Sequence, residues 1–319
     1  MSSFEWVRPT IGISACLLGE RVRHDGEHKR NDWLVNQLGK YVNWVPICPE
    51  VEMGLGIPRE TIRMEGSHKN VSLLTVKSRR DLTRLAADSA QKILDRLHNL
   101  NAFVLKKGSP SCGVERVKIY GRNSSPSRDG MGFFVSALTK KFPDLPLIDE
   151  GRLSDLRQRE RFVTLVFAAA RLRALEPRVP ELQKFHEIYK LLLMSYSPDL
   201  YRRLGQVAAN SEKRAFADIR ADYEKLLIQL FKEFATSEKR VNVLQHVFGY
   251  FSDRLDANEK AVILECIEDF RKGWLPFVAP LTLLYYLSRK FKISYLEEQV
   301  LFNPYPRGLL GSSNFLLAA

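Results

Sequence analysis

Along the first 150 residues, short apolar runs alternate with stretches whose apolar positions recur at helical spacing. Residues 10–15 (TIGISA), 42–47 (VNWVPI), 71–76 (VSLLTV), 102–105 (AFVL) and 145–148 (LPLI) read as strands. Residues 81–98 carry Leu82, Leu85, Ala86, Ile93, Leu94 and Leu97 on one helical face, and 132–142 read as a second helix. Strands alternating with helices predict an open, mostly parallel α/β sheet of Rossmann-like type. After Gly151 the period changes. Residues 154–175, 181–195, 211–235, 238–255, 258–271 and 279–289 read as amphipathic helices, with Ser154, Ser211 and Ser237 as N-caps, and no strand is expected. The Pro-bracketed stretch 176–180 comes too soon after the first long helix to divide the chain, so the hinge is placed at residues 149–152. The expected organisation is an α/β domain over 1–150 and an all-α domain over 151–319.

The 319-residue chain is 45% hydrophobic and 27% charged, an ordinary globular balance with room for two cores. No apolar stretch is long enough to span a membrane. Met1 to Trp6 lack a basic patch followed by an apolar run, so a cytoplasmic protein is expected. The net charge is +12, with 23 Lys/Arg against 17 Asp/Glu in residues 1–150 and 26 against 20 in the remainder. Both halves are therefore basic, which draws polyanions, nucleic acid foremost.

Four cysteines are too few for a disulfide framework. Three of them, Cys16, Cys48 and Cys112, lie at or just past the C-terminal ends of predicted strands, 32 and 64 positions apart. In a parallel sheet those ends form one edge, where ligands bind, so distant cysteines can meet there. Each is followed by turn residues: Leu17-Leu18-Gly19, Pro49-Glu50 and Gly113. Cys266, in Ile263-Leu264-Glu265-Cys266-Ile267, reads as core packing. Three thiolates suit catalytic zinc with an open position, or an iron–sulfur cluster with one iron lacking a protein thiolate. Spacing does not choose between them. Glu50 is a candidate general base beside Cys48, or else a first-turn glutamate favoured by the helix dipole. Ser109 and Ser111 flank Pro110 before Cys112, as proton relays or as hydroxyls bonding their own backbone.

The blocks Ser14-Ala15-Cys16-Leu17-Leu18-Gly19 with Val22-Arg23-His24-Asp25-Gly26, Cys48-Pro49-Glu50, and Ser109-Pro110-Ser111-Cys112-Gly113 together resemble the bacterial thiouracil desulfidase family over roughly residues 8–150. The second half, with Phe185-His186-Glu187-Ile188-Tyr189-Lys190, Gly249-Tyr250-Phe251 and Asn303-Pro304-Tyr305-Pro306, is similar to a helical domain of unknown function often fused to it. The fused form resembles tRNA 4-thiouridine desulfidases. The resemblance implies a [4Fe–4S] cluster on Cys16, Cys48 and Cys112, a catalytic Glu50, and a catalytic serine at Ser109, with Ser111 second. It also implies redox-neutral desulfuration of 4-thiouridine to uridine with release of hydrosulfide. Glu187 follows His186 where the family's helical domain has a His-Lys pair, so His186 receives no role.

Thiolated tRNA is the partner that the basic second half suggests. Its candidate phosphate contacts are Arg157/Arg159/Arg161, Arg171/Arg173, Arg202/Arg203, Lys213/Arg214, Lys239/Arg240 and Arg289/Lys290/Lys292, with Arg79-Arg80 and Lys106-Lys107 in the first half. Tyr250 and Tyr305 are candidates for stacking on bases. Two alternatives stand beside this reading: a desulfidase for free 4-thiouracil or related small thiobases, and a metal- or cluster-binding nucleic-acid regulator in which Glu50 is inert. Oligomeric state is not legible.

Overall fold

The computed structural model describes residues 7–67, 70–121 and 125–309. The N-terminal residues Met1 to Trp6 lie outside them. The chain divides into two compact units, one running from Arg8 to Asp155 and the other comprising, among the described residues, Val7 and residues 156–309.

The first unit contains β1 (Thr10–Ser14), α1 (Asp32–Asn36), β2 (Asn43–Ile47), α2 (Pro49–Glu52), β3 (Ile62–Ser67), β4 (Asn70–Thr75), α3 (Thr83–Asp95), β5 (Ala102–Leu105), β6 (Val117–Tyr120), β7 (Ser127–Gly130), α4 (Phe133–Lys141) and β8 (Leu147–Asp149). Strands β2, β1, β5 and β8 form one sheet in that order, with every neighbour parallel. β5 is buried at all four positions, as a central parallel strand covered on both faces must be. β2 carries Pro46, which a central strand does not tolerate, and it lies at the edge. The chain leaves β1 toward β2 and leaves β5 toward β8, in opposite directions. The C-terminal ends of β1 and β5 therefore flank a topological switch point, where open α/β sheets bind ligands.

A second sheet, ordered β4-β3-β6-β7, was not expected from the sequence. It corrects the placement of residues 71–76, which pair antiparallel with β3 rather than joining the parallel sheet. Helix α3 serves both sheets. Ala90, Ile93 and Leu94 pack in a cluster with Phe103, Leu105, Phe134 and Leu138, whereas Leu82, just before the helix, and Ala86 pack with Met64, Leu73 and Ile119.

The second unit is all helical among its described residues: α5 (Leu156–Arg173), α6 (Val179–Tyr196), α7 (Pro198–Ala209), α8 (Phe216–Leu230), α9 (Ser237–Gly249), α10 (Ala257–Arg271), α11 (Val278–Lys290) and α12 (Ser294–Glu297). They enclose one apolar core containing Tyr189, Tyr223, Leu227, Leu244, Phe251 and Phe270. Helix α7 was not anticipated. Pro198 at its first turn marks a start that the reading had passed over. The expected N-caps also shift. Thr236 caps α9 by accepting from Lys239 N, and α8 begins after Ala215, so neither Ser237 nor Ser211 is the cap. Ser154 belongs to a short 3-10 turn ahead of α5. Cys266 is only half-buried, at the edge of a stripe made by Ile263, Ile267 and Phe270, which corrects its assignment to the core.

Candidate functional site

Three connections at the C-terminal edge of the parallel sheet surround one cavity of about 310 Å³. Its lining includes Cys16, Cys48, Cys112, Glu50, Ser109 and Arg59. Each thiol is held by local structure. Cys16 lies in a 3-10 turn that Gly19 ends at φ +101°, and its carbonyl accepts from Gly19 N and Lys29 N. Cys48 is the N-cap of α2, whose first residue is Pro49. Its Sγ lies 3.6 Å from Val22 O.

Cys112 sits in the loop after β5, which is fastened to the start of α4. The N–H groups of Phe133 and Phe134, left unpaired by the helix, donate to Pro110 O and Ser111 O, and Gly132 N donates to Gly113 O. Gly132 approaches so closely that a Cβ there would lie 2.5 Å from Ser111 O. This packing, more than the apolar run itself, fixes where Cys112 points.

Burial raises the pKa of all three thiols. Cys16 is pushed up to about 11, by burial first and by Cys48 second. Cys48 moves up through burial, against hydrogen bonds from backbone N–H groups. Cys112 is driven well above its ordinary value by burial, with a hydrogen bond to Ser14 opposing and Glu50, Cys48 and Cys16 adding. Three neighbouring thiolates are therefore unfavourable here unless a cation compensates them. A single zinc needs its sulfurs about 3.8 Å apart, given tetrahedral bonds of about 2.3 Å. Among the described residues, no three His, Cys, Asp or Glu converge tightly enough for one ion. Three thiols on one cavity are soft donors of the type that an iron–sulfur group takes.

Glu50, in the first turn of α2, faces this cavity with its carboxylate held at both oxygens. Oε2 accepts from Arg59 Nε (2.9 Å) and Nη2 (2.7 Å), and Oε1 accepts from Ser111 Oγ (3.1 Å). The two serines thus differ in position. Ser109 lines the cavity and its Oγ accepts from Ser111 N and Cys112 N, tightening the loop. Ser111 is buried behind it and braces Glu50. Lys106, Lys107, Lys29, Arg23 and His24 also line the cavity. Lys106 is paired with Glu150, and Arg23 with Asp25. Sequence reading missed Arg59 and Ser14. An arginine in Ile57-Pro58-Arg59-Glu60 looks like a solvated loop cation, and only the fold turns it inward.

Residues 11–150 match the family model described as 2-thiouracil desulfurase, and residues 190–306 match protein of unknown function DUF1722. The chain belongs to the 2-thiouracil desulfurase family through its first unit. The solved structure of the [4Fe-4S]-dependent thiouracil desulfidase TudS is 33% identical to this chain, covering 46% of it and 95% of TudS, with a TM-score of 0.38. YbbK of Bacillus subtilis (strain 168) is 29% identical over 153 residues, 46% of this chain and 99% of YbbK. YbgA of Escherichia coli (strain K12) is 29% identical over 124 residues, 39% of this chain and 73% of YbgA. Both proteins are described as uncharacterized.

In the helical unit of this desulfurase-family chain, most of the cations proposed for phosphates are already engaged. Arg240 is buried against Glu160 at 2.8 Å, and buried Arg171 donates to the Tyr189 hydroxyl. Arg173, Arg202, Arg214, Lys239, Arg289 and Lys290 pair with acidic neighbours. Arg203, Lys213 and Lys292 are exposed without an ion pair among the described residues. In the first unit, Arg79 is paired with Glu65. Tyr305 is buried, which removes it as a stacking platform, whereas Tyr250 is exposed and stacks on Tyr295. No helix among the described residues is long and apolar enough to cross a membrane.

Proposed function

We propose that this protein is a [4Fe–4S]-dependent desulfidase that converts 4-thiouridine in tRNA to uridine and releases hydrosulfide. The observation that carries the chemistry is the single cavity shared by Cys16, Cys48, Cys112, Glu50 and Ser109 in a 2-thiouracil desulfurase domain. Cys16, Cys48 and Cys112 would hold the cluster. When bound, it supplies an iron without a protein thiolate, a Lewis acid suited to a soft thiocarbonyl sulfur.

The side chains supply the proton chemistry. Glu50 takes a proton from the water that adds to C4, and its two fixed oxygens keep it aimed rather than free to rotate. The Ser109 hydroxyl lies within the cavity and passes a proton to the ring or to departing sulfur. Ser111 acts through Glu50. The C–S bond breaks, a C–O bond forms, and thiobase plus water gives base, hydrosulfide and a proton. No electron donor is consumed.

The tRNA substrate rests on the +12 charge and the fused helical unit. The paired state of most helix cations favours a second reading, a desulfidase for free thiobases. Anaerobically reconstituted protein, assayed for hydrosulfide with thiolated tRNA and with free 4-thiouracil, tests both. The proposal expects the higher kcat/KM on tRNA and binding that weakens steeply with salt. Flat salt dependence and a preference for the free base support the second reading instead.

A further inference from the structure

We infer that Arg59 is a positioning residue that sets the orientation of Glu50, an inference that rests on the desulfidase reading. The Arg59 side chain is 4% exposed and that of Glu50 15%. Arg59 uses its guanidinium asymmetrically. Nε and Nη2 both donate to Oε2 of Glu50, instead of spreading across the two carboxylate oxygens in the usual fork. That leaves Oε1 to Ser111 Oγ and to the cavity.

The remaining donors are tied to backbone. Nη2 also donates to Val22 O at 2.9 Å, and Nη1 donates to Gly56 O at 3.1 Å. The Arg59 N–H donates to His24 O. The guanidinium is therefore held between the Val22–His24 segment and the turn at Gly56, and it cannot swing toward a substrate without giving up the Val22, Gly56 and Glu50 acceptors together. A group anchored in this way is a brace. Its effect on chemistry runs through Glu50, whose carboxylate would otherwise be held at Oε1 alone, by Ser111.

Lysine offers a single point charge and cannot place two N–H groups on one oxygen in a fixed plane, so it restores only part of the function. The test uses full-length reconstituted Arg59→Gln and Arg59→Lys proteins with free 4-thiouracil, each compared with wild type and with Glu50→Gln. Expected for Arg59→Gln are wild-type iron content and visible absorption, a KM within about twofold, and a kcat lower by about 100-fold, the scale of a misplacement of about 1 Å. Arg59→Lys should fall between it and wild type. In the Glu50→Gln background, Arg59→Gln should cause no further loss.

Four results overturn the inference. An unchanged kcat means that Glu50 needs no brace. Loss of iron and colour makes Arg59 part of the cluster site or the fold. A raised KM with intact kcat makes it a substrate contact, and an additive loss in the Glu50→Gln background makes it independent of Glu50. Wild-type protein that takes up no iron and frees no hydrosulfide overturns the functional reading itself, and this inference with it.

Discussion

In the first unit, buried and half-buried ionisable groups gather around one cavity: three thiols, the Glu50 carboxylate and the Arg59 guanidinium. In the helical unit they meet as opposite partners, and the Arg240–Glu160 pair itself lines a cavity with Arg157, Arg161 and Tyr196. Arg240 meets Glu160, Arg171 meets Tyr189, and His186 meets Tyr223, each embedded in or at the edge of one continuous apolar core. Desolvating a polar group is costly unless it is paired, and opposite partners of this kind offset much of one another's burial. The thiols of the first unit are different. Burial raises the pKa of all three, and neighbouring thiols add to the rise at Cys16 and Cys112. Perturbed titratable groups converging on one cavity are the usual mark of a functional site.

The sharpest way to break this contrast is to remove a thiol. Cys16→Ala, Cys48→Ala or Cys112→Ala should abolish both iron uptake and hydrosulfide release, while far-ultraviolet circular dichroism keeps its helical signal; an active, colourless variant would refute the assignment. Next comes Glu50→Gln, which should retain the iron and its absorption and lose about 10²–10⁴-fold in kcat, the range of one general base. In the helical unit, replacing Arg203, Lys213 and Lys292 together by Ala should weaken tRNA binding about tenfold and flatten its salt slope, leaving turnover of free 4-thiouracil unchanged. Unaltered tRNA affinity would exclude these three cations as phosphate contacts.

The smallest effect concerns His186. Its pKa is lowered to about 4, chiefly by burial and then by Lys190. Its ring stacks on Tyr201 at 4.8 Å, and Nδ1 lies 3.0 Å from the Tyr223 hydroxyl. The unfolded chain takes up this proton near pH 6.5, and the folded chain resists until about pH 4. The neutral ring's contribution is complete above pH 6.5 and is lost as the pH falls through about 4. Discounted for partial exposure, it amounts to about 1 kcal/mol. His186→Phe should remove that part of the acid sensitivity in urea unfolding measured between pH 7 and 4. An unchanged pH profile would show that the ring does not titrate with folding.

What the sequence made legible follows from how each feature is built. The strands β1 and β5 are apolar runs because both faces are covered, so they stand out. The cysteines stand out because turn residues follow each of them. The second sheet is hidden, because IRMEGS, VKIY and SRDG mix polar and apolar positions over only four to six residues. Arg59 was hidden for another reason. Its partners Glu50, Val22 and Gly56 come from three segments, and nothing local distinguishes a brace from a surface arginine. The split between Ser109 in the cavity and Ser111 behind it was likewise decided by α4, which pins the loop from outside the motif.

The most direct test of the central claim is one preparation measured in two ways. Full-length protein reconstituted without oxygen is analysed for iron and acid-labile sulfide, then given 4-thiouracil while hydrosulfide is followed. The account predicts about four irons per chain, broad visible absorption, and stoichiometric formation of uracil and hydrosulfide with no added reductant. Stoichiometric zinc with no visible absorption, or turnover that persists after the iron is stripped, would contradict it.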